Sequence, residues 1–534
     1  MVSAVPAKRE RCSLTLADGS VVEATFMGDE SIHFYMTDDS LCLQCDDEGI
    51  AHFVDAEALY ARWQLKANKR QAARTAKRAA RRKALGDESG TIIGNKPGLV
   101  ILVQFPDVPF HYGNATFQRF FNEEGYTDGI NIGSVRDYFL DASYGLFDFQ
   151  FDVVGPITMS HSLSYYGKNN SNGDDQHPAE MAAEAVKMVD KEVDFSRYDW
   201  DGDGEVEQVF IIHSGYDEAQ SRNKDQIWSH AWTLTEALEE GDGDGPVTLD
   251  NVVIDSYATS SELRNSSGTG ICGIGTPCHE FTHCFGIPDF YDTVGYSFGM
   301  KSWDLMDYGE YNGNGGTPAG FTSYERMFCG WLNPTELTEA TIVSEMPPLT
   351  SKPVAYILRN SGNRNEYYLF ENRQNESWDK YLAGHGMLIL HVDFDSQAWY
   401  DNIVNTVRSH QRMTIIPADN SLYSFSLSGD PWPGTSGNTE LSDFSTPAAT
   451  LYNENAEGDL FMHHSITGIT ESEEGLISFI FDEEALNLKD PKTLQDSQKP
   501  IFDLSGRQIV NRKLSNCQIP SGIYIQDGKK IMQQ

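Results

Sequence analysis

Residues 279–289 read HEFTHCFGIPD. Two histidines four apart on a helix lie on one face, one turn apart, where the imidazoles of His279 and His283 can reach a single zinc ion. Glu280 projects beside them, placed to take a proton from a water whose pKa a zinc ion lowers to about 7. Two imidazoles leave such an ion short of a third protein ligand. Gly286 permits the chain to leave the helix, and Asp289, three residues further, can swing back to supply a carboxylate oxygen. Pro277 just upstream is compatible with a first helical turn.

Downstream, KSWDLMDYGEYNGNGG at 301–316 sets Met306 in a Trp- and Tyr-rich stretch before a Gly-rich loop. Its spacing from the helix fits a Met-turn, so its thioether is expected as an apolar floor beneath the histidines. Tyr291, Tyr308 and Tyr311 are candidates to hold an oxyanion, and the sequence does not choose among them. A second metal signal is DWDGDGEVE at 199–207. Asp199, Asp201 and Asp203 alternate before Gly204, so three carboxylates can converge on a hard cation while the glycine allows a sharp turn. The twelfth position, which needs a Glu in an EF-hand, is Phe210. Glu207 at the ninth position, with the backbone carbonyl of Glu205, is the expected substitute in a calcium site that braces the strand VFIIHSG.

The elements that must carry these residues fall into segments. Residues 1–60 read as short alternating strands, a small β-rich module, with a helical pattern from about Ala56. Residues 61–90 form an Arg-rich, helix-prone connector: ten Lys or Arg and no acid fall between 62 and 83. Without that stretch thirty basic residues would face seventy-nine acids, a net −49 against −39 for the whole chain. An exposed basic connector is a site where trypsin-like proteases cut, and a solvated linker or a basic arm are its other readings. Residues 91–335 mix strands (VILVQF, FDFQFDVVG, QVFIIHSG) with helices (SVRDYFLDAS, PAEMAAEAVKMVDKEV), an α/β or α+β domain of enzyme size. Residues 336–485 read strand after strand, a β-sandwich-like region. Residues 486–534 are a polar linker and a few short strands.

At 534 residues the chain is long enough for several cores. Its acidity argues against nucleic acid and anionic lipid as partners, and no apolar run approaches the length of a membrane-spanning helix. No secretory signal opens the sequence, so the protein is either cytoplasmic or exported after loss of a leader. Eight cysteines are too few for a disulfide scaffold; Cys42 and Cys45 form a CxxC with no second pair to complete a zinc site.

These motifs, together with LVILVQFPDVPF, GSVRDYFLDASYGLFDFQFDVVGP, IDSYATSSEL, GIGTPCHEFTHCFGIPDFYDT, SWDLMDYG, YYLFENRQ and LAGHGMLILHVDFD, resemble the immune-inhibitor-A-like secreted zinc metallopeptidases, a metzincin-type family, in the form found in Bacteroides and Prevotella. The resemblance covers most of the chain. It implies a metzincin-like peptidase domain with His279 and His283 as zinc ligands and Glu280 as general base. The metzincin pattern most often has a histidine where this chain has Asp289, which leaves Asp292 or a water as alternative third ligands. It also implies a proenzyme, which suits a prodomain over 1–60 and a processing connector cut by an activating protease. Asp, Glu or Cys side chains of the first 90 residues, Cys42 and Cys45 among them, are candidates to block the metal. The tail is similar to sorting or anchoring modules of exported proteins, so a secreted or cell-surface endopeptidase acting on proteins or peptides, with Zn2+ and Ca2+, is the expectation. A calcium-stabilised surface binding protein with an inert peptidase domain is the rival, and a zinc hydrolase of small amides a weaker one.

Overall fold

The first fifty-five residues alternate apolar and polar side chains, which buries one face of each strand. Six strands result: β1 (Ser3–Ala4), β2 (Arg11–Thr15), β3 (Val21–Gly28), β4 (His33–Met36), β5 (Cys42–Cys45) and β6 (Ala51–Val54). β2 to β6 pair in sequential order as an antiparallel meander, and residues 56–64 follow as helix. The computed structural model describes residues 3–64 and 91–483 except positions 31, 47, 172, 296 and 424, and the backbone of four strands between 501 and 533. The basic connector from 65 to 90 lies outside the described residues.

β1 leaves its module and joins a six-stranded sheet in the order β1–β10–β11–β9–β7–β8, with β7 (Gly94–Gln104), β8 (Phe147–Thr158), β9 (Val209–Tyr216), β10 (His230–Thr233) and β11 (Ser256–Leu263). β8, β7, β9 and β11 run parallel, and β10 and β1 are antiparallel at one end. Parallel strands are covered on both faces, which is why β7 and β9 read as unbroken apolar runs. One face packs Val100, Leu102, Phe210 and Ile212 against α1 (Asn114–Asn122) and α2 (Val135–Ala142). The other packs Leu99, Ile101 and Ile211 against Met181, Ala182, Val186 and Val189 of α3 (Pro178–Val189). Ser134 and Asp137 start α2 with a reciprocal capping box.

The β-rich second half contributes β12 (Thr335–Glu336), β13 (Thr341–Met346), β14 (Tyr356–Arg359), β15 (Glu366–Arg373), β16 (Gly386–Asp393), β17 (Met413–Ile415), β18 (Ile466–Glu471) and β19 (Ile477–Phe481). They form one sheet ordered β12–β14–β15–β16–β17 and another ordered β13–β19–β18. Leu358, Phe370 and Ile389 of the first face Met346, Ile469 and Phe479 of the second. Alternate residues of the same strands, Ile357, Leu369, Leu388 and Leu390, point the other way, into the cluster that holds Phe281 and Met306. The larger sheet is therefore one layer of a sandwich and also a wall behind the metal motif. Strands at 508–510, 501–502, 522–526 and 529–533 make a small antiparallel sheet near the end of the chain. The whole is mixed α/β, with several sheets and more than one domain. Among the described residues no helix is long and apolar enough to cross a membrane, and Cys12, Cys42, Cys45, Cys272, Cys278, Cys284 and Cys329 are free thiols.

One buried cation ties the second half to the first. The Arg373 guanidinium, at the end of β15, donates to Asp379 Oδ1 (2.6 Å) and Oδ2 (2.7 Å), to Glu371 Oε1 (3.0 Å), and to the carbonyls of Trp303 (3.2 Å) and Gly320 (3.0 Å). Its planar fork meets five buried acceptor atoms at once. Removing one partner of such a cluster leaves uncompensated buried charge, at a cost of about 3–5 kcal/mol. Arg373→Ala is expected to lose about that much stability, measured by urea denaturation of the purified chain.

Candidate metal centre

The metal motif sits on α4 (Gly275–Thr282), whose eight residues are all buried. The helix can lie this deep because Gly275 presses on the 308–315 segment: a Cβ there would stand 2.0 Å from the Glu310 carbonyl oxygen. His283 caps α4, a short 3-10 turn follows, and Gly286 ends it in the left-handed conformation at φ +87°. The chain then doubles back. Asp289 Oδ1 stands 3.1 Å from His279 Nε2 and 3.5 Å from His283 Nε2. The donor atoms of His279, His283 and Asp289 all lie within 4.8 Å of one another.

Backbone carbonyls fix which ring nitrogen faces inward. Nδ1 of His279 lies 2.9 Å from the Leu305 oxygen, and Nδ1 of His283 lies 2.8 Å from the Ile287 oxygen. A carbonyl can only accept, so each Nδ1 carries a proton and each ring is turned with Nε2 toward the shared point. Neither Nε2 meets a hydrogen-bond partner, nor does either carboxylate oxygen of Glu280. Burial pulls the His279 imidazole down, yet Asp289 and then Glu310 outweigh it and lift the group to about 10. Burial leaves His283 lowered. Asp289 is held well below the carboxylate range: burial acts to raise it, but the two imidazoles win. Burial drives Glu280 well up, and Glu310 up to about 8.

Three buried carboxyl groups thus surround two imidazoles, and burial pushes Glu280 and Glu310 toward their neutral forms while Asp289 stays ionised against the histidines. Two nitrogens and one carboxylate oxygen are a donor set suited to zinc. The residues present fit the metal that the HExxH spacing calls for. Asp292 is not part of the cluster: its oxygens accept from the backbone of Val294 (3.0 Å) and Ser297 (2.8 Å). Met306 is fully buried, one residue beyond the carbonyl that orients His279, and its own carbonyl accepts from Phe290 N. Tyr291 and Tyr311 both lie within electrostatic reach of Glu280, whereas the Tyr308 ring lies under the Arg9 guanidinium at 4.1 Å.

Three side chains at the centre carry no local signal in the sequence. Asn402 Nδ2 donates to Asp289 Oδ2 (2.6 Å), and its Oδ1 accepts from Asp289 N (2.8 Å), so a residue of the β-rich half aims the carboxylate. Glu310 Oε2 accepts from Thr276 on α4 (3.0 Å). Gln208 Nε2 donates to the Glu280 carbonyl (3.1 Å), coupling the helix to the start of β9. All three act across long sequence separations.

The second expected site is brought together in part. Ligand atoms of Asp199, Asp201 and Asp203 lie within 4.8 Å of one another, in a loop that Gly202 and Gly204 turn through positive φ. Glu207 does not join them. Both of its oxygens accept from Trp200 N (2.7 and 2.8 Å), and burial raises its carboxyl to about 7. Glu205 bridges by its backbone to Val253.

Comparison with known proteins bears on this arrangement. Residues 95–331 match the family model of the immune inhibitor A peptidase M6 catalytic domain. That match supports an M6 peptidase domain over this stretch. Pre-pro-metalloprotease PrtV of Vibrio cholerae serotype O1 is 25% identical over 289 residues, which is 45% of this chain and 31% of that protein. Immune inhibitor A of Bacillus thuringiensis subsp. alesti is 26% identical over 276 residues, 43% of this chain and 39% of that protein. The chain thus spans well under half the length of these relatives.

If Asn402 orients Asp289, then Asn402→Ala should weaken zinc binding about 10- to 100-fold, as loss of a partner behind a metal ligand does. Competition against a chromophoric chelator measures this, with circular dichroism as the check that the fold survives.

Proposed function

We propose that this chain is a zinc-dependent endopeptidase that hydrolyses peptide bonds in proteins and is made as a latent proenzyme. The M6 match and the relatives named as metalloproteases support a metallopeptidase. The single observation that carries the finer reading is the convergence of His279 Nε2, His283 Nε2 and Asp289 Oδ1 beside a Glu280 carboxylate that meets no other partner. In this reading His279, His283 and Asp289 hold the zinc. When bound, zinc would polarise the scissile carbonyl and acidify a water. Glu280 takes the proton as the water oxygen bonds to the carbonyl carbon, and delivers it to the amide nitrogen as the carbon–nitrogen bond breaks. Leu305 and Ile287 hold both imidazoles in the tautomer that keeps Nε2 free. Tyr291 or Tyr311 would steady the oxyanion, and Met306 would floor the histidines.

Asp199, Asp201 and Asp203 are proposed to bind calcium, supported by their clustered oxygens and by Gly202 and Gly204, which turn the loop through positive φ. The role would be structural, since Gln208 links the neighbouring strand to the metal helix. Export to the cell surface or medium, and activation by cutting in the basic stretch 62–83, complete the proposal.

The intact chain and Glu280→Gln are to be incubated with casein after limited trypsin treatment, with and without a zinc chelator. Wild-type cleavage should disappear with chelator and fall about 10²- to 10⁴-fold in the variant. Cleavage insensitive to both would sink the metallopeptidase mechanism, and no cleavage by any form would favour an inert peptidase domain. Separately, calcium at 100 times its Kd should stabilise the chain by about 2.7 kcal/mol. Differential scanning fluorimetry should show the gain in wild type and its loss in Asp201→Asn.

A further inference from the structure

The face of the six-stranded sheet that looks away from the HExxH helix carries a second meeting of imidazole and carboxylates. Residues 177–180 read HPAE at the start of α3. Pro178 opens the helix, so His177 stands just ahead of it, and Glu180, three residues on, lies on the same side. Asp242 arrives from elsewhere. The helix Leu234–Glu240 ends at Gly241, left-handed at φ +95°, and Asp242 N donates back to the Ala237 carbonyl (2.9 Å). That reversal brings the Asp242 carboxylate against the first turn of α3.

Donor atoms of His177, Glu180 and Asp242 all lie within 4.8 Å of one another. His177 Nδ1 stands 3.7 Å from Glu180 Oε2 and 3.7 Å from Asp242 Oδ1. Both separations are too long for a hydrogen bond. Where a histidine of this chain pairs directly with an acid, the atoms touch: 2.6 Å for His410 and Asp393, 2.7 Å for His464 and Asp482, 2.8 Å for His391 and Glu366. Two ligands of one zinc-sized ion, each about 2.0–2.2 Å from it at a tetrahedral angle, stand about 3.3–3.6 Å apart. The His177 set is thus spaced nearer to the HExxH set, in which Asp289 lies 3.1 and 3.5 Å from the two imidazoles, than to an ion pair.

Capping of α3 accounts for one oxygen of Asp242 and leaves the other unexplained. Its Oδ2 accepts from Ala179 N (2.7 Å), one of the amides that a helix start leaves open. Its Oδ1, in a residue only 7% exposed, meets no hydrogen-bond partner and faces His177. Burying a carboxylate oxygen with no donor is unfavourable, and a cation at that point offsets it. Burial lifts the Asp242 carboxyl to about 6, against the Ala179 N–H and His177, which lower it. The other two side chains are ordered from one neighbour. His177 stacks on the Tyr165 ring with 4.5 Å between centroids, and Tyr165 Oη donates to Glu180 Oε2 (3.0 Å). With 33% and 39% of the His177 and Glu180 side chains exposed, an ion has a path in from solvent.

We propose that His177, Glu180 and Asp242 form a second metal site, for a divalent transition ion of the zinc class, which clamps the start of α3 to the loop after Glu240. One imidazole with two carboxylates favours such an ion over calcium, which takes about six to eight oxygens. The site is independent of the HExxH centre. It lies on the far side of the sheet, where α3 backs Leu99, Ile101 and Ile211, so its role is to stiffen the layer behind the strands rather than to perform chemistry.

The test is elemental analysis of the full chain after zinc loading and removal of loosely held metal, with excess calcium present to occupy the Asp-rich turn. Wild type should retain about two zinc ions per chain, and Asp242→Asn and His177→Gln about one each. The Asp242→Asn amide keeps an oxygen for Ala179 N, so the helix start is preserved, and circular dichroism checks the fold of both variants. His279→Ala should also retain about one ion, and zinc should raise its Tm, a rise that is lost when Asp242→Asn is added. Wild type holding a single ion that His279→Ala removes would overturn the second site, as would two ions undiminished by either substitution at 177 and 242. A single ion that survives His279→Ala and disappears in Asp242→Asn would uphold this site and sink the HExxH centre instead.

Discussion

A cluster of acids and imidazoles enclosed away from water is the constraint around which this molecule is organised. Glu280, Asp289 and Glu310 are fully enclosed, and His279 and His283 are the two basic groups that meet them. In a low-dielectric interior such a grouping is relieved where acids stay protonated or where a cation gathers the lone pairs, because water is not there to solvate them. Everything nearby is arranged to keep that gathering point small: a helix pressed against the backbone of Glu310, a left-handed glycine that reverses the chain, and two carbonyls that select one tautomer of each ring.

That arrangement is held from a distance. The N–H of one imidazole is met by the loop before Met306, and the carboxylate of Asp289 is met by Asn402 from the β-rich half. The loop before Met306 is in turn reached by Arg373 through the Trp303 carbonyl. Gln208 connects the Asp-rich turn to the helix. Stiffness at the centre is thus supplied by polar contacts crossing between elements, while the Phe-rich core beneath sets the coarse position of the helix.

How much of this could be read in the sequence follows from range. His279, Glu280, His283, Gly286 and Asp289 act through helix periodicity and one glycine, which are local, so eleven consecutive residues announce them. The strands at 98–105 and 209–216 were legible from unbroken apolar runs, and the doubled-back sheet of the second half from its short, turn-bounded strands. The Asp-rich turn was legible for its three aspartates and misleading for Glu207, because the backbone N–H of Trp200 takes that carboxylate. Asn402, Glu310, Gln208 and Arg373 were invisible: each acts on a partner dozens of residues or more away, or through a carbonyl that has no letter in the sequence. Asp242 was one acid among many until the fold set it against His177.

The seam that comparison draws at residue 331 does not coincide with a seam in the machinery. Because Asn402 bonds Asp289 from beyond it, the loop around Asn402 and the helix of the HExxH motif form one structural unit, and a shift in the downstream strands would be felt at that carboxylate. Exchange of that downstream region for another β-rich module would preserve the HExxH motif and still misdirect the carboxylate.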